Sequence, residues 1–190
     1  MQKAVRLYRW NCTLSQALLW PLHMLEVTNR NAVSEALAHK YGARWLYHPT
    51  FRSVLDADLR RNIDAATDRQ CFERGTLTPL MDQVIADLTM GFWTSLLAKQ
   101  YEVPFGWATR IRIAFPNLPA TAGRSNIAIA MSELRDLRNR VAHHEPILHL
   151  KLTEKYNKIL NLLNWRSPNI LWLVQQSCIV MWALKQEPKI

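Results

Sequence analysis

Between positions 130 and 141 apolar side chains recur as Ala130, Leu134, Leu137 and Val141, at spacings of four, three and four. That period lays one apolar stripe along a helix. Nowhere does the chain sustain the alternation of a half-buried strand, and glycine-marked hairpin turns are few. An all-α fold follows. At 190 residues it forms a single domain, 1–190, long enough for a real core and short for two. No repeat, low-complexity tract or linker divides it.

The same helix and the turn after it, 132–150, concentrate Arg135, Arg138, Arg140, His143, His144 and His149. No other stretch gathers so many groups able to hold an anion and to move a proton near neutral pH. Gly123 and Ser125-Asn126 mark its start as a break and an N-cap. Pro146 stops it, so His143 and His144 fall in or just past the last turn. Protonated imidazoles there are favoured by the helix dipole by about 0.3–1 kcal/mol.

The arginines differ in their local partners. Arg140 follows Asp136 by four residues, the spacing of a solvated intrahelical ion pair. Arg135 has no acid at helical spacing. Arg138 borders the apolar stripe, with Leu134 and Ala142 four residues either side and Arg135 three before it. Two readings stay open for it: a salt bridge to a distant helix, or an anion or second chain that comes to meet it.

Lys and Arg number 24 against 15 Asp and Glu, a net charge of +9, which suits a polyanionic partner: RNA, DNA or an acidic protein. Simple solubility is the plainer reading of the same surplus. Cys12, Cys71 and Cys178 are scattered and odd in number, so ordinary, mostly buried thiols in a reducing, cytoplasmic setting are expected. The first residues lack an apolar signal core, and export is not expected. The longest apolar run, 170–184, is interrupted by Gln175-Gln176-Ser177 and is too short for a membrane span, so it reads as a buried core helix. No cofactor is indicated. His144 and His149 stand five apart with Pro146 between them, so no helix face presents both to zinc, and no metal ligands are assigned; His149 reads as partly buried on the next helix. Nothing resembles a glycine-rich phosphate loop or a Ser/His/Asp arrangement.

Along the chain, helices are expected at 3–10 and 13–41, the second closed by Gly42 and kinked or split by Pro21. An aromatic connector, 44–51, either stacks on unpaired bases or fills a groove between helices. A charged, solvated helix spans 54–70, and Thr78-Pro79 opens another that passes Gly91 to about 101. The segment 103–121 reads as loop around 107–115, and with Arg110, Arg112 and Arg124 it can line an RNA path. Helices at 146–163 and 167–185 finish the chain.

The run Arg138-Asn139-Arg140-Val141-Ala142-His143 resembles the Arg, polar residue, three variable residues, His motif of the HEPN superfamily. With its leading Leu134 and Leu137 and its His-His-Glu-Pro exit, it looks like the Abi-like (abortive infection) branch. The segment from Leu25 to Ala32 resembles that branch's first long helix, and the one from Leu88 to Leu97 its central helix. The resemblance implies a HEPN-like helical bundle with extra N- and C-terminal helices. It also implies a metal-independent endoribonuclease, acting as a toxin or in antiviral defence, with an antitoxin protein as a further partner. Glu26 and Arg30, four apart and otherwise a surface pair, would then lie beside Arg138.

Such chemistry needs a base for the 2′-hydroxyl, an acid for the leaving 5′-oxygen and a fixed cation for the phosphorane. His143 is assigned to proton transfer with His144 as its competitor, Arg138 to the phosphate and Asn139 to orientation. Arg135, Arg140, Glu26 and Arg30 are the further RNA-contacting residues, with tRNA or mRNA as substrate. One motif per chain supplies one catalytic histidine, and a twofold homodimer would bring two to one cleft. The rivals are a non-catalytic RNA- or nucleotide-binding module and an antitoxin-binding interaction subunit.

Overall fold

The computed structural model describes residues 2–188, and every regular element among them is helical. The organising element is α1, Gln2–Tyr41, whose 40 residues extend about 60 Å at 1.5 Å per residue. The expectation of separate helices at 3–10 and 13–41 is corrected, because the chain runs through Asn11 and Cys12 unbroken. Neither residue breaks helices, and the junction is fastened from outside. Trp10 Nε1 donates to the Ala183 carbonyl (2.9 Å), and the Ile147 amide donates to Asn11 Oδ1 (2.9 Å). Pro21 also leaves α1 whole. It lies on the buried face with Leu14, Leu18, Leu22 and Leu25, whose burial offsets the roughly 3 kcal/mol that an internal proline costs. Gly42, at φ 84°, closes the helix with its amide on the Ala38 carbonyl (2.8 Å).

A 3-10 turn, Trp45–Tyr47, and α2, Pro49–Val54, follow. Trp45 and Phe51 are fully buried and meet edge-on, ring centroids 4.9 Å apart, while Phe51 stacks on Phe105 at 5.4 Å. The connector therefore fills a groove between helices, and Trp45 has no face left for a base. Next comes α3, Ala57–Arg74, which starts later than expected because Asp56 Oδ1 caps the Leu59 amide (2.8 Å). The helix expected over 78–101 is two, α4, Met81–Asp87, and α5, Met90–Ser95. Leu88 is extended, and Thr89 Oγ1 starts a new helix by accepting from the Phe92 amide (3.4 Å).

After a 3-10 turn, Lys99–Tyr101, come α6, Glu102–Phe105, where loop was expected, and α7, Trp107–Ala114, which occupies the short piece expected at 107–115. Two of the arginines expected to make this segment basic are engaged within the protein. Arg112 Nη1 donates to the Leu118 carbonyl (2.8 Å), and Arg124 Nε to Glu102 Oε2 (3.0 Å). Arg124, almost buried, is not free to line an RNA path, whereas Arg112 remains exposed.

Four helices complete the chain: α8, Arg124–Ala142; α9, Leu152–Arg166; α10, Pro168–Ser177; and α11, Val180–Leu184. The turn after Pro146 delays α9 to Leu152, and extended backbone at Cys178 separates α10 from α11. The expected buried helix over 170–184 is two helices that each bury one side only, α11 through Val180 and Ala183. Within α10 only Val174 is buried, and Trp172 is 62 % exposed. The expected burial of the thiols is corrected as well, Cys12 being exposed and Cys71 and Cys178 half-buried. The centre of the fold is α1 packed on α7, α8, α9 and α11, with α8 held between α1, α5 and α9. Among the described residues no helix is long and apolar enough to cross a membrane.

Candidate functional site

The apolar stripe of α8 is buried as its period requires, with Ile127 and Met131 extending Ala130, Leu134, Leu137 and Val141. Gly123 occupies the N-cap position. Asn126 reaches back from inside the helix, its Oδ1 accepting from the Gly123 amide (2.9 Å), which corrects the Ser125-Asn126 cap.

The other end closes in a Schellman turn. The His144 amide donates to the Val141 carbonyl (3.3 Å) and the Glu145 amide to that of Arg140 (2.8 Å). His143 is the cap residue, and His144 follows in the left-handed region at φ 58°. A side chain at such a φ costs on the order of 1 kcal/mol, and the two capped carbonyls offset it. Both imidazoles are exposed.

Arg138 leaves α8 toward α1, where its Nε donates to Glu26 Oε2 at 3.1 Å, a contact between residues 112 apart in sequence. The distant salt bridge and the proximity of Glu26 to Arg138 are thus one feature. The pair is not sealed: the arginine side chain is 40 % exposed and the glutamate 21 %. Among the described residues neither Nη group of Arg138 has a hydrogen-bond partner. The guanidinium stands where two clefts meet. One, of about 150 Å³, is lined by Leu19, Leu22, His23, Glu26, Arg138 and Val141. The other, of about 400 Å³, lies against Thr89, Gly91, Arg135, Arg138 and Asn139.

The remaining candidates divide between lining and support. Arg135, without an acid at helical spacing, pairs with its neighbour Asp136 (3.0 Å) and lines the larger cleft beside exposed Asn139. Arg140 pairs with Glu145 (3.2 Å) rather than Asp136, because the Schellman turn folds Glu145 back over the last helical turn. It lines neither cleft. Arg30 Nη1 donates to the Ala86 carbonyl (3.3 Å), so it braces a residue of the larger cleft's rim without facing the cleft.

His143 and His144 also line neither cleft. Five residues at 3.6 per turn place His143 about 140° around the helix from Arg138, which is why one chain does not aim both at one spot. His149 is exposed in the turn before α9, not partly buried on a helix. One residue escaped sequence reasoning: His23, which shares the smaller cleft with Arg138 and Glu26. Its signal was present, since it precedes Glu26 by three residues and so shares a face of α1.

Among the described residues no three His, Cys, Asp or Glu side chains gather as a metal ion would require. No family model, curated protein or solved structure matches the chain. The likeness to the Abi-like HEPN branch rests on the motif residues themselves. Chemically, the arrangement offers an oriented guanidinium open to an anion, one imidazole beside it on α1 and two more at the exposed end of α8.

Proposed function

We propose that the chain is a metal-independent endoribonuclease in which Arg138 holds the scissile phosphate and histidine moves the protons. The observation that carries this reading is the half-engaged guanidinium: Glu26 takes its Nε edge and leaves both Nη groups open at a cleft. Four remaining N–H bonds in a planar fork suit two phosphate oxygens. Held in plane by Glu26, the fork loses little freedom when phosphate arrives.

The 2′-hydroxyl oxygen attacks its own 3′-phosphorus while an imidazole takes the hydroxyl proton. The bond from phosphorus to the 5′-oxygen breaks, a second imidazole protonates that oxygen, and Arg138 stabilises the charge between the two events. The products are a 2′,3′-cyclic phosphate and a free 5′-hydroxyl. His143 is assigned to proton transfer, and Asn139 to orienting the scissile group. Because His143 points away from the cleft of its own chain, the second copy in a twofold homodimer supplies it across the interface. His23, which shares the smaller cleft with Arg138, is assigned the remaining proton-transfer role. RNA, as tRNA or mRNA, is the substrate. A cytoplasmic toxin or antiphage effector, held in check by an antitoxin, is the setting that the HEPN resemblance implies.

The test is incubation of purified protein with tRNA and mRNA in the presence of chelator, beside Arg138→Ala, His143→Ala and His23→Ala. Cyclic phosphate ends from the wild type and inert but folded Arg138→Ala and His143→Ala chains are expected. Mixing His143→Ala with wild type should depress activity more than dilution does; strict proportionality rejects the composite site. A second reading, a non-catalytic RNA- or antitoxin-binding module, is favoured by the absence of His143 from both Arg138 clefts. It predicts intact RNA in every arm.

A further inference from the structure

The first 25 residues contain no aspartate or glutamate, and neither do residues 155–186. The fold brings these two acid-free segments together, packing α10 and α11 on α1 and bonding Trp10 to the Ala183 carbonyl. Between them lies an open groove of about 650 Å³, lined by Arg6, Arg9, Trp10, Thr13, Trp182 and Gln186. Arg6 and Arg9 sit one turn apart on α1, where like charges repel. Among the described residues neither has a carboxylate partner, and Glu187, next to Gln186 in sequence, pairs with neither. Trp182 is 55 % exposed, and Trp10 is half-buried with its N–H already spent. What Trp10 can offer the groove is aromatic carbon.

We infer that this groove is a second site, for one or two unpaired nucleotides of a single-stranded nucleic acid, with bases stacked on Trp182 and Trp10 and phosphates on Arg6 and Arg9. Flat π surfaces interleaved with unpaired guanidinium groups are the inventory that holds a single strand without reading its sequence. Stacking needs no 2′-hydroxyl, so the site goes beyond the cleavage reading and does not rest on it. A bilayer surface fits less well, because it presses on outermost side chains and leaves a half-buried indole in a groove out of reach. An acidic peptide would find the charge, but no unpaired strand edge, among the described residues, to take up its backbone.

The experiment measures binding of fluorescent eight-nucleotide 2′-O-methyl RNA and DNA oligomers of one sequence, neither of which can be cut by 2′-hydroxyl attack. The full-length wild type is compared with Trp182→Ala, the double variant Arg6→Gln/Arg9→Gln, and Arg138→Gln. Each change is at an exposed or half-exposed position, and thermal melting checks that each chain folds. Loss of one stacked base weakens binding at least about fivefold in Trp182→Ala. Each phosphate contact contributes about 0.7 to the slope of log affinity against log salt, so the double variant flattens that slope by about 1.4. Arg138→Gln removes the phosphate contact of the other cleft, so binding that survives it and is lost in the groove variants belongs to the groove. Similar binding of both oligomers marks a site blind to the sugar, and preference for one names the source.

Equal oligomer binding by wild type and the groove variants overturns the inference. So does binding that Arg138→Gln alone abolishes, which would leave the cleavage reading standing. Anionic phosphatidylserine vesicles or a poly-glutamate peptide that bind through Trp182 and Arg6, where the oligomers do not, overturn it as well. Oligomer binding lost in the groove variants, with no RNA cleaved by wild type, leaves the groove standing and removes the nuclease.

Discussion

The two halves of α1 treat their charges differently. From Leu14 onward the helix is buried along one face, and its charges find partners there: Glu26 in Arg138, Glu35 in Arg166, and one nitrogen of Arg30 in the Ala86 carbonyl, its Nε staying unpartnered. From Gln2 to Thr13 no side chain is fully buried, and Lys3, Arg6 and Arg9 have no carboxylate partner among the described residues. Desolvation explains the first half, since a charge drawn toward a packed interface must be matched or it destabilises the fold. Charges in water carry no such requirement. Along α1 pairing therefore goes with burial, although elsewhere Arg61 with Asp58 and Lys151 with Glu154 pair in the open. Arg138 is paired yet open, and Arg6 and Arg9 are open beside exposed tryptophan.

The largest expected effect sharpens that contrast. Leu25→Ala, on the buried face, should cost about 2–5 kcal/mol by transfer loss and cavity formation. Val5→Ala, on the exposed half, should stay within about 0.5 kcal/mol. Urea unfolding of both variants measures the difference. A comparable loss from each would mean that the first turns of α1 belong to the core after all.

Next in size is Arg138→Ala, which should lower RNA cleavage by about 100- to 1,000-fold, the scale for losing one preorganised charge-stabilising group. Its unfolding free energy should move by no more than about 1 kcal/mol, because the Glu26 pair is partly solvated. Single-turnover rates and urea midpoints on the same preparation separate the two quantities. A large stability loss with unchanged cleavage would make Arg138 an ordinary member of the partnered half.

The histidines at the end of α8 give a smaller, signed test. His144→Gly should stabilise the chain by about 1 kcal/mol, because glycine takes φ 58° without steric cost. Cleavage should be unchanged if His143 is the proton carrier. Activity lost together with the stability gain would assign the chemistry to His144 and make the left-handed residue a strained functional one.

Legibility from sequence followed the same division between local and distant causes. The stripe through Ala130, Leu134, Leu137 and Val141 is a local period, and it predicted both the helix and its buried face. Gly42 worked as a stop for the same reason. The restart at Thr89 was illegible, because Leu88-Thr89 within an apolar run differs little from a helix interior until the Thr89 hydroxyl commits to the Phe92 amide. The exposure of Trp172 and Leu173 was illegible too, since hydropathy records what a side chain prefers, not whether another element covers it. At the site, the lack of a local counter-ion for Arg138 was readable and its two outcomes could be named. That Glu26 reaches it, and that His23 shares the cleft while His143 does not, depends on how α1 lies against α8.

The smallest effect tests the pairing rule where it meets the acid-free segment. Lys155 and Lys158 lie in that segment, but α8 supplies them with Glu133, which accepts from Lys158 Nζ at 2.7 Å and lies 3.6 Å from Lys155. The Lys158 hydrogen bond, opposed by partial burial and helped by both lysine charges, holds the Glu133 carboxyl below its ordinary value of 4.5. A depressed carboxylate contributes stability in full above its unfolded value, and that contribution is lost as pH falls through the folded one. Glu133→Gln should therefore be less stable than wild type by a few tenths of a kcal/mol at pH 7, solvent screening having reduced the rest. The gap should close as the solution is acidified below about pH 4, in the range where carboxylates gain their protons. Arg6→Gln/Arg9→Gln, with no carboxylate to lose, should differ from wild type by the same small amount at both pH values. A pH-dependent gap in the double variant, or none in Glu133→Gln, would break the link between burial and pairing from which the open groove draws its meaning.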